Sequence, residues 1–160
     1  MRILLKKISD TTHRLEIIRD DHSREQVHLS SRSFVVHDLL HYAVETQAGL
    51  KQSFWGLLAS GRRLAELHEK ATDPDTHKAS MASEAEVTEA VVSVLTGVIQ
   101  GHADASAAIE GLRRLFSAQG REAPAWFTPD FVERVRDQMR RLKGEWRALP
   151  YGREMQLTFN

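Results

Sequence analysis

The chain has 160 residues, of which 41% are apolar and 28% are charged, and its formal net charge is zero. This length suits a single domain, 1–160, that buries about two thirds of its unfolded-chain surface. The sequence contains no cysteine, which excludes disulfides, thiol nucleophiles and thiolate metal ligands. A metal site in this chain must therefore use nitrogen and oxygen donors.

The first thirty residues are predicted to form a β-meander, 1–30. Residues 2–8, 14–19 and 25–29 alternate apolar and polar side chains with the period of a sheet that buries one face. Polar, turn-prone clusters separate these three runs. We expect the histidines of the meander to face solvent: His13, His22 and His28.

Residues 33–148 are predicted to be mainly helical. The first helix is expected over residues 34–47, with Ser33 as its N-cap and Gly49 as the left-handed residue that ends it. Three further segments are expected: helical runs over 50–58 and 62–70, and a mobile loop over 71–82.

Three longer helices follow this loop. Ser83 and Glu86 form a capping-box pattern at the start of a helix whose apolar spacing predicts a central place in the core. Asp104 can cap the next helix, which is expected to stop near Gly120. Pro129, in the first helical position, marks the start of the last helix.

The chain ends with a turn-forming stretch and then alternating apolar and polar residues at 153–159. An isolated strand is unstable, so this strand is expected to pair with the meander. The predicted fold is therefore α+β, with about five helices packed on one face of a four-stranded antiparallel sheet built from both ends of the chain.

Charge is distributed unevenly along the chain. Residues 66–110 carry nine acidic residues against two lysines, a balance of −7, so the other residues sum to +7. This asymmetry favours self-association into a homo-oligomer, or a dipolar surface, over a nucleic-acid partner. Basic residues at 134–147 are interleaved with acidic ones, unlike a surface that follows nucleic-acid phosphates, so no nucleic-acid partner is expected.

Several classes of protein lack support in the sequence. No window approaches the roughly 18 consecutive apolar residues of a membrane span, and the apolar run after Met1 is too short for a signal-peptide core. We therefore expect a cytoplasmic protein without a membrane partner. The patterns G-x-G-x-x-G, G-x-x-x-x-G-K and G-x-S-x-G are missing, which disfavours dinucleotide binding, P-loop hydrolysis and α/β-hydrolase chemistry.

The most informative motif is His37-Asp38-Leu39-Leu40-His41, which is followed by Glu45. Histidines four residues apart in a helix lie about 40° apart around its axis and roughly 6 Å along it, so both can reach one metal ion. On a helical wheel these polar residues lie opposite the apolar stripe. They therefore face either a cleft or water.

The same helix geometry limits the ligand set. Glu45 lies about 12 Å beyond His37, so a straight helix does not easily bring all three side chains to one ion. Glu45 can reach back to His41, either as a third ligand or as the acceptor that orients a ligating imidazole. The candidate metal ligands are His37, His41 and Glu45, with Asp38 as an orienting group or base and Tyr42 and Trp55 lining the pocket.

Two resemblances to zinc motifs are incomplete. The spacing is similar to the H-E-x-x-H helix of zinc proteases, but the shorter Asp38 replaces the general-base glutamate, and we do not predict a protease. It also looks like the zinc motif of a ubiquinone-biosynthesis family, in which a glutamate follows the second histidine by twelve residues. That position is Ser53 here, so the match fails at the third ligand.

A third resemblance covers residues 37–45 and 54–61. The segments His-Asp-Leu-Leu-His-Tyr-Ala-Val-Glu and Phe-Trp-Gly-Leu-Leu-Ala-Ser-Gly resemble a family of small bacterial proteins without an assigned function. The resemblance implies that both segments belong to one core unit of such proteins, and it implies no activity.

Two functions remain open from the sequence. The first is a structural or interaction module, expected to be a homo-oligomer, in which the histidine face is exposed or lies at an interface. The second is a divalent-metal protein, with zinc as an example, in which the metal activates water for hydrolysis or anchors a small ligand.

Overall fold

The computed structural model describes residues 1–70 and 83–160 and has an α+β fold. Its four strands form one antiparallel sheet in the order β3-β2-β1-β4. The strands are β1 (Arg2–Lys7), β2 (Thr12–Ile18), β3 (Arg24–Ser30) and β4 (Glu154–Thr158). The predicted meander and the return of the C-terminal strand to its edge are confirmed.

The register of the sheet places its apolar residues on one face. Leu5 lies opposite Leu15 on β2 and Met155 on β4, and Ile3 lies opposite Ile17 in the same way. These residues are all buried in one core with the helices. The period of two in the sequence therefore identified the covered face correctly.

Six α-helices lie between β3 and β4 in the described ranges, close to the predicted number of about five. They are α1 (Val36–Ala48), α2 (Phe54–Ala59), α3 (Leu64–Lys70), α4 (Glu84–Ile99), α5 (Ala105–Ala118) and α6 (Pro129–Ala148). None of these helices is both long enough and apolar enough to cross a bilayer. The loop predicted over residues 71–82 lies outside the described residues.

Local capping chemistry was predicted well. Ser83 and Glu86 form both hydrogen bonds of a capping box at the start of α4. The Asp104 carboxylate and the Thr128 hydroxyl accept backbone N–H bonds at the starts of α5 and α6. Gly49 ends α1 with a φ of 68°, in the left-handed region that favours glycine.

The start of α1 differs from the prediction. A π-helical turn, Ser31–Val35, leads directly into α1, so Ser33 lies within a helical segment and does not cap one. The second helical run was predicted over 50–58, but α2 begins only after Ser53. It begins there because a buried carboxylate accepts the first N–H groups of α2.

His13 is fully buried, so its predicted exposure is wrong. It shares the core face of β2 with Leu15, and its ring packs edge-on against Trp146 at 5.8 Å between centroids. Its Nδ1 lies 3.3 Å from the Ser31 hydroxyl. Burial lowers the pKa of His13, and the charge of Asp38 opposes this only in part. His22 and His28 are exposed, as predicted.

A buried arginine joins the sheet to the segment between α2 and α3. The Arg19 guanidinium donates to the backbone carbonyls of Leu58 and Arg62, each at 2.7 Å, and forms an ion pair with Glu25. The second carboxylate oxygen of Glu25 accepts the Leu64 N–H at 2.9 Å. Burial raises the pKa of Glu25, but the contacts with Arg19 and Leu64 outweigh it and leave the pKa below its usual value.

We predict that Glu25→Gln lowers the free energy of unfolding at pH 7 by about 1–3 kcal/mol, because Arg19 loses a charged partner at a largely buried position. A carboxylate with a lowered folded-state pKa stabilises above its unfolded pKa of about 4.3, and this contribution is lost as pH falls through the folded-state pKa. The difference between wild type and variant should therefore shrink in acid.

Urea denaturation of both proteins between pH 7 and pH 3 measures this difference. Asp137→Asn is the matched control, since it removes an ion pair between two exposed side chains, Asp137 and Arg140. It should change stability by less than about 0.5 kcal/mol. A Glu25→Gln effect equally small at pH 7 would contradict the prediction.

Candidate metal centre

The polar face of α1 is mostly buried, and of the two predicted alternatives its histidines face a cleft. Asp38, His41 and Glu45 are 4%, 3% and 0% exposed. Only His37 remains open, with 47% of its side chain exposed. The apolar stripe of α1 predicts that neighbouring elements cover one side of the helix. In the structure α1 packs against α6 as well as against α4 and α2. Its polar residues are therefore enclosed between helices.

Glu45 connects α1 to the start of α2. One of its carboxylate oxygens accepts the Trp55 N–H at 2.9 Å and the Gly56 N–H at 3.2 Å. These are first-turn N–H groups of α2, which have no partner within the helix. A side chain at position 56 would overlap the backbone of Lys51, so glycine at this position allows the backbone of α2 to lie close to Lys51.

The other carboxylate oxygen of Glu45 fixes the ring of His41. His41 Nδ1 lies 3.3 Å from Glu45 Oε1, and His41 Nε2 lies 3.3 Å from Glu89 Oε1 on α4. Both ring nitrogens are therefore engaged by carboxylates. Glu45 is fully buried, whereas the Glu89 side chain is 62% exposed.

Three side chains bring potential metal donors together. One ligand atom each from His37, His41 and Glu89 lie within 4.8 Å of one another. The rings of His37 and His41 are 4.7 Å apart between centroids. Donors around tetrahedral zinc are roughly 3.3 Å apart, given bonds of about 2.0–2.1 Å. Small rotations of the exposed His37 and Glu89 side chains would close this difference.

Glu45 reaches back to His41, as its position one turn further along α1 predicts. Its carboxylate holds His41 Nδ1, which leaves Nε2 directed toward Glu89. Histidines that bind metals usually donate their second ring N–H to a carboxylate or carbonyl, which fixes the tautomer and the ring. The group of donor atoms within 4.8 Å contains Glu89 in place of Glu45.

The charges of this cluster depend on one another. Burial lowers the pKa of His41, but its hydrogen bonds and charge interactions with Glu45 and Glu89 outweigh burial and raise the pKa to about 9. Burial raises the pKa of Glu89, but His41 lowers it by more. The pKa of Glu89 is therefore below its usual value. The pKa of Glu45 is raised by burial. A metal at Nε2 would therefore replace a proton on His41.

Asp38 lies beneath His37. Its Oδ1 is 4.0 Å from His37 Nδ1, and its buried Oδ2 has no hydrogen-bond partner among the described residues. Leaving a buried carboxylate oxygen unpaired costs free energy. A small movement of the His37 ring would let Nδ1–H donate to Asp38 and turn Nε2 toward the cluster.

The two aromatic residues predicted to line a pocket lie elsewhere. The Tyr42 hydroxyl donates to the carbonyl of Thr158, at the end of β4. Trp55 is buried in the core, and its indole N–H donates to the backbone carbonyl of Asp38 at 3.2 Å. Trp55 therefore stabilises the backbone of the motif at Asp38 from within the core.

The cluster opens into a cleft of about 1070 Å³. His37, His41 and Glu89 lie in its wall with apolar residues of α2 and α5. Neither Tyr42 nor Trp55 lines it. This volume is sufficient for a small organic ligand as well as water.

Glu89 could not be assigned from the sequence. It lies opposite the apolar stripe of α4, where a glutamate is usually a solvated surface residue. No spacing within one helix links it to His41. Only the packing of α4 against α1 brings the two side chains together.

No protein-family model, curated protein or solved structure matches this chain. The resemblance of residues 37–45 and 54–61 to a family of small bacterial proteins therefore stays a prediction.

We predict that Glu45→Ala lowers the free energy of unfolding by about 3–5 kcal/mol, because it leaves His41 Nδ1 and two backbone N–H groups without a buried partner. Glu89→Gln should cost less than about 1 kcal/mol, because the Glu89 side chain is mostly exposed. Urea denaturation without added metal measures both values. Equal costs for the two variants would contradict the different positions of these carboxylates.

Proposed function

We propose that this protein binds a divalent metal ion through His37, His41 and Glu89. The observation that carries the proposal is the set of three donor atoms within 4.8 Å of one another, one of them on a histidine held by a buried carboxylate. This is the metal-binding hypothesis from the sequence with one ligand exchanged, since Glu89 takes the place first considered for Glu45.

The donor set favours zinc or another ion of similar chemistry. Two imidazoles and one carboxylate are ligands that zinc accepts, and three protein ligands leave a fourth position for water or a small ligand. A zinc-bound water has a lowered pKa and can act as a nucleophile in hydrolysis. Metal-assisted hydrolysis or ligand anchoring is therefore the proposed use of the site, because the three candidate ligands lie in the wall of the cleft.

The two carboxylates of α1 support the ligands in this proposal. Glu45 orients His41, and Asp38 orients His37 once the metal is bound. Asp38 is buried and does not line the cleft, so orientation suits it better than proton transfer to a metal-bound water.

The interaction-module hypothesis predicts that the protein does not bind a metal ion at this cluster. A structural or interaction module would show no metal-dependent stabilisation, and changes to the histidines would affect association only. The homo-oligomer, the cytoplasmic location and the lack of a nucleic-acid partner stay predictions from the sequence.

We predict that the untagged protein, purified without chelators, binds one zinc ion per chain. His37→Ala and Glu89→Gln should each weaken zinc binding by about tenfold or more, since loss of a supporting residue alone commonly costs about 10–100-fold. Zinc at 100 times its Kd should stabilise the wild type by about 2.7 kcal/mol. Mass spectrometry for metal content, titration calorimetry and thermal unfolding measure these effects.

Two variants serve as controls for the metal experiment. His102→Ala and Glu110→Gln each alter an exposed side chain outside the cluster and should leave zinc affinity unchanged. No zinc in the wild type, or equal loss in the controls and the ligand variants, would contradict the proposed site and favour the interaction module.

We also predict that Asp38→Asn weakens zinc binding by about 10–100-fold, through poorer orientation of His37. The electronic spectrum of the cobalt-substituted protein should change as well, because ligand geometry determines it. A variant that only loses stability, with an unchanged cobalt spectrum and zinc affinity, would show that Asp38 has no role in orientation.

A further inference from the structure

The cleft at the proposed metal centre carries a second chemical feature, which is a pair of arginines. Arg62 and Arg121 both line the cleft that contains His37, His41 and Glu89. Among the residues whose side chains the structure describes, which leave out positions 33 and 68–82, none forms an ion pair with Arg62 or Arg121. By contrast, Arg14, Arg19 and Arg24 all contact carboxylates. Within that part of the chain, the cleft therefore contains two guanidinium groups without an ion-pair partner.

Arg121 is held in position within the cleft. Its guanidinium carbon lies 4.7 Å from the centre of the Phe116 ring, and its Nη1 donates to the Gln119 side chain at 3.3 Å. The contact with an aromatic ring and the hydrogen bond to Gln119 limit the rotation of the planar group. A guanidinium ordered in this way can donate two parallel hydrogen bonds to a carboxylate or phosphate.

Two of the three acidic residues that line the cleft contact groups other than the arginines. Glu89 contacts His41, and Glu86 accepts the Ser83 N–H in the capping box of α4. Glu66 also lines the cleft, and its charge disfavours a ligand with many negative charges. With neutral histidines, two arginines and a divalent metal together carry one more positive charge than these three carboxylates carry negative charges.

Most of the remaining lining residues are apolar, and the polar ones among them are Gln52, Ser83 and Gln119. Phe54, Leu57, Leu115 and Phe116 contribute to the wall, and Leu115 is 41% exposed, which is high for a large apolar side chain. Apolar surface beside a few polar groups is typical of sites for small organic molecules.

We propose that the cleft binds a small oxyanion, a phosphate or carboxylate group, attached to an apolar body. This inference rests on the proposed metal site: the metal and the arginines bind the oxyanion, and the residues of α2 and α5 contact the apolar part. The single excess charge and the presence of Glu66 favour a compact ligand over a polyanion.

Phenylphosphonate and benzoate are suitable probes, with benzyl alcohol as the uncharged comparison. Titration calorimetry uses zinc-loaded protein from which unbound zinc has been removed, because free zinc would bind the probes. We expect at least one of the two anions to bind about tenfold or more tightly than benzyl alcohol. Removal of zinc should weaken anion binding.

Arg121→Gln tests the arginine, with Arg113→Gln as the matched control. Arg113 is an exposed arginine of α5 that does not line the cleft. Arg121→Gln should weaken anion binding about tenfold or more with zinc content unchanged, and Arg113→Gln should have no effect. Arg62→Gln provides a second variant if Arg121→Gln fails to fold by circular dichroism.

The outcomes separate the two proposals. A protein that binds no zinc overturns the metal site. A protein that binds zinc but neither anion, or that binds benzyl alcohol equally well, retains the metal site and overturns the oxyanion inference. Equal effects of Arg121→Gln and Arg113→Gln would also overturn it.

Discussion

The site depends on one buried carboxylate, that of Glu45. Burial of a carboxylate costs free energy unless its oxygens accept hydrogen bonds or contact a positive charge. Glu45 meets this condition with the first N–H groups of α2 and with the ring of His41. The same contacts determine where α2 begins and how the imidazole is oriented.

The burial of Glu45 divides the cluster into a fixed part and an adjustable part. His41 is held on both sides and is almost inaccessible, whereas His37 and Glu89 reach it from exposed positions. A fixed ligand with adjustable neighbours can accept an ion with little rearrangement of the backbone. The apolar walls of α2 and α5 place this polar cluster at the edge of a cleft that has enough room for a ligand.

The sequence could predict much of the fold because its signals are local. Capping at Ser83 and Asp104 and the left-handed end of α1 at Gly49 depend on neighbouring residues only. The two histidines of the motif are brought together by helix geometry alone. His13 was wrongly expected at the surface, because burial on a sheet depends on which helix covers that position, here α6 with Trp146.

By itself, the sequence determined the α+β class, the pairing of His37 with His41 and the reach of Glu45 back to His41, since each follows from the period of a helix or strand. Only the tertiary structure decided that the polar face of α1 is enclosed, that Glu89 joins the histidines and that two arginines share their cleft. These features require elements far apart in the chain to pack together. The sequence pattern of one element shows which of its own residues share a face and contains no information on what covers that face.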